Sequence, residues 1–224
     1  AGTKEIVLTG VNLGDFGKGA DGTIKNKGAF YDLIQALDEV EGIERYRISS
    51  IEPNLLTPEI IEFVHKSNKF MPHFHIPLQS GNDIMLGLMR RRYKRDLYTE
   101  RVIMIKSLMP HCCIGVDVIV GHPGETDDLF KATFDYLHTL DVSYLHVFTY
   151  SERANTHALN IQPVVPQQIR NERNKQLRNL SYMKMQYFTQ QHSGTTRNVL
   201  WEGFEKNGMM EGYTDNYIRV QTGY

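Results

Sequence analysis

Residues Gly115 to Glu125 read Gly-Val-Asp-Val-Ile-Val-Gly-His-Pro-Gly-Glu, and this stretch limits the possible folds more than any other. A near-continuous apolar run of strand length ends at Val120, and Gly121, Pro123 and Gly124 halt it within one turn. Thr126-Asp127-Asp128 is suited to cap a helix, and Leu129, Phe130, Thr133, Phe134, Leu137 and Leu140 then recur at helical spacing. The unit is strand, glycine loop, helix, the building block of a buried parallel sheet. In such units ligands sit at the carboxyl end of the strand, where glycines let the backbone approach. The same turn also occurs in α/β proteins that bind nothing there, so its neighbours must decide.

Those neighbours repeat the pattern. Glu5 to Gly10 predicts a strand with Val11 to Gly17 as its glycine loop, followed by a polar stretch from Lys18 to Lys27. Phe30 to Val40 predicts a helix, Arg45 to Ile51 a strand closed by Glu52-Pro53, and Thr57-Pro58 the start of a helix running to His65. His73 to Leu78 predicts a third strand, Ile84 to Met89 and Leu97 to Met109 helices, Cys112 to Val120 a fourth strand, and Ser143 to Tyr150 a fifth. Five strand–helix units predict an α/β fold, a partial TIM-like barrel. A closed eightfold barrel needs several more. The strand Glu5 to Gly10 is then expected to be an open sheet edge.

After Pro163 and Pro166 a long helix is expected from Gln167 to His192, bearing Arg170, Arg173, Lys175, Arg178 and Lys184. Beyond Gly194, short alternating segments at Thr195–Trp201, Met209–Tyr213 and Tyr217–Gln221 predict a small β module. The organisation read from this is residues 1–165 as the partial barrel, 166–194 as a connecting helix and 195–224 as the start of the β module. About thirty residues are too few for an independent barrel.

Within the third strand, Phe74, Ile76 and Leu78 fall on one face and His73, His75 and Gln79 on the other. In the fifth, Leu145 and Val147 oppose His146, Phe148 and Tyr150. A structural barrel packs branched apolar side chains inside, so a polar inner face points to a site. The His-x-His pair is a possible metal half-site, but no third ligand stands at telling spacing. Arg90-Arg91-Arg92 with Lys94 and Arg95 reads as a solvated helix face or a local nucleic-acid patch. The net charge of −1 excludes a polycationic surface. The two cysteines, Cys112 and Cys113, are adjacent, so they point to opposite faces and predict neither a disulfide framework nor a shared metal. No apolar run has bilayer length and no basic-then-apolar leader is present. A soluble cytoplasmic protein without membrane partners is expected.

Read together, Gly10-Val-Asn-Leu-Gly, Ser49-Ser-Ile-Glu-Pro53, His75-Ile-Pro-Leu-Gln-Ser-Gly81, Met89-Arg-Arg-Arg-Tyr93, Asp117-Val-Ile-Val-Gly-His-Pro-Gly-Glu125 and Tyr150-Ser-Glu-Arg153 resemble, in order and spacing, the radical SAM methylthiotransferases over essentially the whole chain. The Ser-Ser-Ile-Glu-Pro and Arg-Arg-Arg-Tyr versions look most like the MtaB-like branch, which modifies threonylcarbamoyladenosine in tRNA. The resemblance implies a six-unit partial barrel, of which five units are visible here. It also implies S-adenosylmethionine bound on a four-iron four-sulfur (4Fe-4S) cluster, a second cluster in an N-terminal domain, and a C-terminal RNA-binding TRAM domain beginning near Thr195. The implied reaction is reductive cleavage of S-adenosylmethionine, hydrogen abstraction from an adenosine carbon, and sulfur insertion with methyl transfer.

By position in those motifs, Gly10 and Asn12 would approach the methionine end of the cofactor, and Glu52, Gln79 and Ser80 would make polar contacts to methionine or ribose. Gly121, Gly124 and Glu125 would shape the adenosine end, Phe148 and Tyr150 would neighbour the adenine, and Arg153 would hold a carboxylate or phosphate. The implied partner is the anticodon stem-loop of tRNA; no sulfur donor and no catalytic side chain is indicated. Two departures stand out. The family's Cys-x-x-x-Cys-x-x-Cys motif is not in this sequence, so the chain is expected to be a fragment that neither holds the cluster nor turns over alone. Asn155 stands where many relatives place glycine. Other readings remain: a non-catalytic RNA-binding module, a methylthiotransferase acting on a ribosomal protein side chain, or a sugar- or phosphate-processing barrel using His75 and Glu125 as acid and base.

Overall fold

A computed structural model of the chain describes residues 2–17, 28–206 and 208–223. The polar stretch Lys18 to Lys27 lies outside them. Five strands, β1 (Glu5–Leu8), β2 (Arg45–Ile48), β3 (Phe70–His75), β4 (Cys113–Val120) and β5 (Tyr144–Thr149), form one sheet in sequence order. Every neighbouring pair is parallel. Among the described residues β1 is bonded to β2 alone and forms an edge, as expected. Helices α1 (Ala29–Asp38), α2 (Pro58–Lys66), α3 (Asp83–Leu88), α4 (Arg95–Leu108) and α5 (Asp127–Thr139) fill the connections, and α6 (Gln167–Gln191) follows β5. This is a partial TIM-like barrel. No helix among the described residues is long and apolar enough to cross a membrane.

Local chemistry sets the helix starts. Pro58 occupies the first turn of α2, where its missing N–H is no loss. Thr126 Oγ1 accepts from the Leu129 N–H at 3.3 Å at the start of α5, and Asn82 Oδ1 accepts from Ile84 N–H at 2.9 Å at the start of α3. The third strand begins at Phe70, three residues before the expected His73. Ile76 and Leu78 lie past its end, still buried and still on the helix side.

The faces divide as strand parity requires. Tyr46, Ile48, Phe74, Ile114, Val116, Val118 and Leu145 join Ile34, Ile61, Tyr98, Ile105, Leu137, Leu177 and Leu180 in one core beneath the helices. Each such side chain stabilises by roughly 1.5–3 kcal/mol when fully buried. Arg47, His73, His75, Gly115, Asp117, Tyr144 and His146 occupy the alternate positions and face the inside of the curve. Gly115 is required there. A Cβ on it would sit 2.3 Å from both Cζ and Oη of Tyr144, whose hydroxyl lies 3.2 Å from His73 Nε2. Gly115→Ala is therefore expected to destabilise by about 1–3 kcal/mol through overpacking, partly relieved by Tyr144→Phe. An unchanged Gly115→Ala melting temperature would contradict this packing.

The C-terminal segments form a three-stranded antiparallel sheet, β6 (Val199–Lys206), β7 (Met209–Thr214) and β8 (Arg219–Gly223). It leans on the inner face of the barrel rather than standing free. Arg47 donates to the carbonyls of Thr214 and Asp215, both at 2.9 Å, and the Tyr217 ring stacks on His73 with centroids 4.0 Å apart. Tyr217, expected to open the last strand, instead takes a left-handed turn (φ 65°), and that turn presents its ring to His73.

Candidate functional site

Two groups of residues lie at the concave side of the sheet: a rim at the carboxyl ends of the strands and a lumen behind it. The lumen holds a cavity of about 340 Å³, bounded by Ser49, Ser50, His75, Asp117, His146 and Phe148 toward the rim and closed by Arg47, His73 and Tyr217.

Adjacent strands build the lumen cluster. Asp117 pairs with His146 across the β4–β5 ladder, and His75 pairs with Gly115, two residues before Asp117. His75 Nε2 stands 2.8 Å from Asp117 Oδ1, and His146 Nδ1 stands 3.5 Å from the same oxygen. Burial alone would raise the Asp117 carboxyl, but its hydrogen bonds with His146 and His75 outweigh it and bring the pKa down to about 2. The carboxylate is thus ionised at neutral pH. Sequence parity puts these side chains on the inner face but offers no third ligand for the histidines. The third group lies on a neighbouring strand, 42 residues from His75. The signal that finds it is the shared inward parity of β3, β4 and β5, not a spacing within one segment. His73 is buried and held well below the usual histidine range, first by burial and then by Arg47 and the other two imidazoles; its Nδ1 has no hydrogen-bond partner among the described residues.

At the rim, Asn12 Oδ1 accepts from the Glu52 backbone N–H at 3.3 Å and its Nδ2 donates to Asp15 at 3.2 Å, tying the end of β1 to the end of β2. Glu52 accepts from Arg91 at 3.0 Å. Gln79, past the end of β3, has φ 72°, a left-handed conformation that is uncommon outside glycine. Its backbone is pinned to β4 through Asp117 O at 2.8 Å and the Ile119 N–H at 2.9 Å. Its side-chain amide makes no hydrogen bond among the described residues. Phe148 is half exposed, and Arg153 is exposed. Tyr150 sits edge-on to His122 and beneath the Arg170 guanidinium.

Other positions singled out in the sequence are occupied by the chain itself. Ser80 is buried, 3.1 Å from Thr133 Oγ1. A Cβ on Gly121 (φ 74°) would meet Arg170 Cγ at 2.3 Å, one on Gly124 (φ 88°) would meet Leu88 at 2.8 Å, and one on Gly10 would meet Leu13 at 3.3 Å. Glu125 is 2% exposed; its Oε2 accepts from the Gly121 N–H at 2.7 Å and from Arg173 Nη1 at 2.7 Å. Burial raises its carboxyl against the pull of these donors. Glu125 thus clamps the loop after β4, and its buried Oε1 has no hydrogen-bond partner among the described residues. Asn155 adopts φ 63°, which asparagine tolerates better than most residues, so the loop keeps the conformation expected of a glycine.

The expectation of a helix face at Arg90–Arg92 is corrected, and the basic residues of α6 divide between its two sides. Arg90 to Arg92 follow α3 as a turn, not a helix face; Arg90 and Arg92 are exposed while Arg91 holds Glu52. On α6, Arg170 and Arg173 are buried and bond inward, leaving Lys175 and Arg178 on the exposed side.

The profile of the radical SAM superfamily matches residues 1–137. Threonylcarbamoyladenosine tRNA methylthiotransferase MtaB of Bacillus subtilis is 39% identical, the alignment covering 98% of this chain and 49% of that protein. The Aquifex aeolicus protein of the same name is 36% identical over 98% of this chain and 51% of its own length. The tRNA-2-methylthio-N(6)-dimethylallyladenosine synthase of Wolinella succinogenes is 35% identical over 100% of this chain and 52% of its own. The chain spans about half the length of these curated relatives.

Proposed function

The chain belongs to the radical SAM superfamily, and we propose that it builds most of the barrel of a tRNA methylthiotransferase that adds a methylthio group to a modified adenosine beside the anticodon. The observation that carries this reading is 39% identity over 98% of the chain to a threonylcarbamoyladenosine tRNA methylthiotransferase. The proposed organisation follows it: residues 1–165 as barrel, 166–194 as connecting helix, 195–224 as the start of an RNA-binding β domain. The partner is the anticodon stem-loop of a cytoplasmic tRNA.

Superfamily membership implies S-adenosylmethionine and a 4Fe-4S cluster. The rim suits the first. Gln79 carries a side-chain amide with no hydrogen bond among the described residues, Asn12 and Arg91 hold Glu52 at the end of β2, and a cavity of about 340 Å³ lined by Ser49 and Ser50 of that same strand end lies in the lumen, within the size range of small-molecule sites. Bound there, S-adenosylmethionine supplies the radical and methyl chemistry. The chain's own part is position: Gln79 orients polar groups of the cofactor, Asn12 fixes the Glu52 loop beside them, Phe148 keeps water from the lumen, and the exposed Arg90, Arg92 and Lys94 offer phosphate contacts. The cluster does not fit the cysteines present. Cys112 lies in the core under the helices and Cys113 in a separate cluster with Tyr144 and Phe188. Burial raises both thiols, that of Cys113 to about 12, far from the thiolate form that ligates iron.

The test is expression of the complete reading frame in a bacterium lacking its own threonylcarbamoyladenosine methylthiotransferase, with nucleosides read by mass spectrometry. The methylthio nucleoside is expected to return. Gln79→Ala and Asn12→Ala are each expected to lower it about tenfold or more, the scale of losing cofactor orientation. No methylthio nucleoside, or full modification by both variants, would overturn the reading; methylthiolation of a ribosomal protein instead would replace the substrate.

A further inference from the structure

We propose that His75, Asp117 and His146 form a site for one borderline divalent transition-metal ion, iron(II), cobalt(II) or zinc(II), inside the barrel lumen. The inference does not rest on the proposed function, and its test uses neither tRNA nor S-adenosylmethionine. One ligand atom from each of His75, Asp117 and His146 lies within 4.8 Å of the other two. An ion bonded at roughly 2.0–2.2 Å to two ligands needs those ligands roughly 3–3.4 Å apart. The two separations at Asp117 Oδ1, 2.8 and 3.5 Å, bracket that spacing. Two imidazoles and one carboxylate are the donor set that suits iron(II) and zinc(II).

Three features favour a site over an incidental hydrogen-bonded pair. The ligands come from three consecutive strands whose registers fix their backbones, so the geometry is rigid. They occupy inward positions that a structural barrel fills with branched apolar residues. The ligands also line the cavity of about 340 Å³, with the His146 side chain 55% exposed, so positions remain for water or a ligand on the ion. The charge balance agrees: the Asp117 carboxylate offsets part of the ion's charge, and the nearby Arg47 guanidinium is already answered by Glu5 at 3.1 Å.

The test is titration of the untagged, complete chain with cobalt(II) under anaerobic conditions, reading visible d–d absorption and bound metal per chain after dialysis. One equivalent of cobalt is expected, with an absorption band that zinc(II) abolishes by displacement. His146→Ala, at a half-exposed position, is expected to keep the parent's circular dichroism spectrum and to weaken binding by about tenfold or more, as loss of one of three ligands should. Asp117→Asn is expected to do the same, while His138→Ala, on the exposed side of α5, leaves binding unchanged. Absence of a stoichiometric cobalt complex, or equal affinity in His146→Ala and the parent chain, would overturn the site.

Discussion

Arg173→Ala is expected to lower the unfolding free energy by about 3–5 kcal/mol, the range for breaking a buried ion pair from one side. The Arg173 and Glu125 side chains are 5% and 1% exposed and meet at 2.7 Å. Arg173 also donates to the Glu125 carbonyl at 3.0 Å and to Asp127 at 2.7 Å, with its guanidinium over the Phe130 ring. Alanine removes all of these and leaves a buried carboxylate with the Gly121 N–H as its remaining donor. The loss should depend on pH in a definite direction. Burial already holds the Glu125 carboxyl above its ordinary value, and without Arg173 it rises further. In the variant the folded state therefore keeps its proton over a pH range where the unfolded chain has released it. Its stability falls as pH rises through that range, so the deficit should be smallest below about pH 4.5 and largest at neutral pH. Urea unfolding of parent and variant at both ends of that range measures it. Glu125→Gln placed in the Arg173→Ala background should recover part of the neutral-pH loss. A deficit under about 1 kcal/mol at pH 7 would show that the pair does not secure the loop after β4.

Arg173 also shows what the sequence makes legible. Arg170, Arg173, Leu177 and Leu180 follow one another at steps of three and four, so both arginines lie on the stripe that buries the leucines. Charge read before periodicity assigns them to an RNA-facing surface; periodicity read first places them inside. Strand order and the facing of each strand are legible because parallel strands joined by helices leave few arrangements, and parity alone separates Phe74 from His73 and His75. The lumen cluster is half legible. The inward positions of His75 and His146 follow from parity, but their meeting at Asp117 depends on register, which no single segment encodes. At the rim, Ser80 and Glu125 draw notice through their motifs, yet their side chains are committed to Thr133 and Arg173. A motif names positions; it does not say whether a polar group faces a ligand or its own chain.

Arg47 is the case that the sequence conceals most completely, and its removal is expected to have the other large effect, about 3–5 kcal/mol for a charged group taken from a buried network. It lies between Tyr46 and Ile48 on β2 with its side chain 1% exposed, and the groups that bury it arrive 168 residues later. Its fork donates to Asp215 O and Thr214 O, its Nε faces Glu5, and its guanidinium stands 5.1 Å from the Tyr217 ring centroid. Arg47→Ala leaves two carbonyls without this donor, frees Glu5 and opens a cavity between the two sheets. The two carbonyl bonds and the Tyr217 ring all tie β2 to the turn between β7 and β8, so the C-terminal sheet should loosen before the barrel does. Hydrogen exchange should therefore quicken in residues 209–223 of the variant while β3 and β4 keep their protection. Arg47→Lys keeps the charge but cannot bond both carbonyls with a planar fork, so it should restore only a minor part of the loss. Unchanged exchange in residues 209–223 of Arg47→Ala, or full rescue by lysine, would mean that the two sheets are held by other contacts, such as the His73–Tyr217 stack and the Arg45 bond to Tyr213 O, and not by the Arg47 guanidinium.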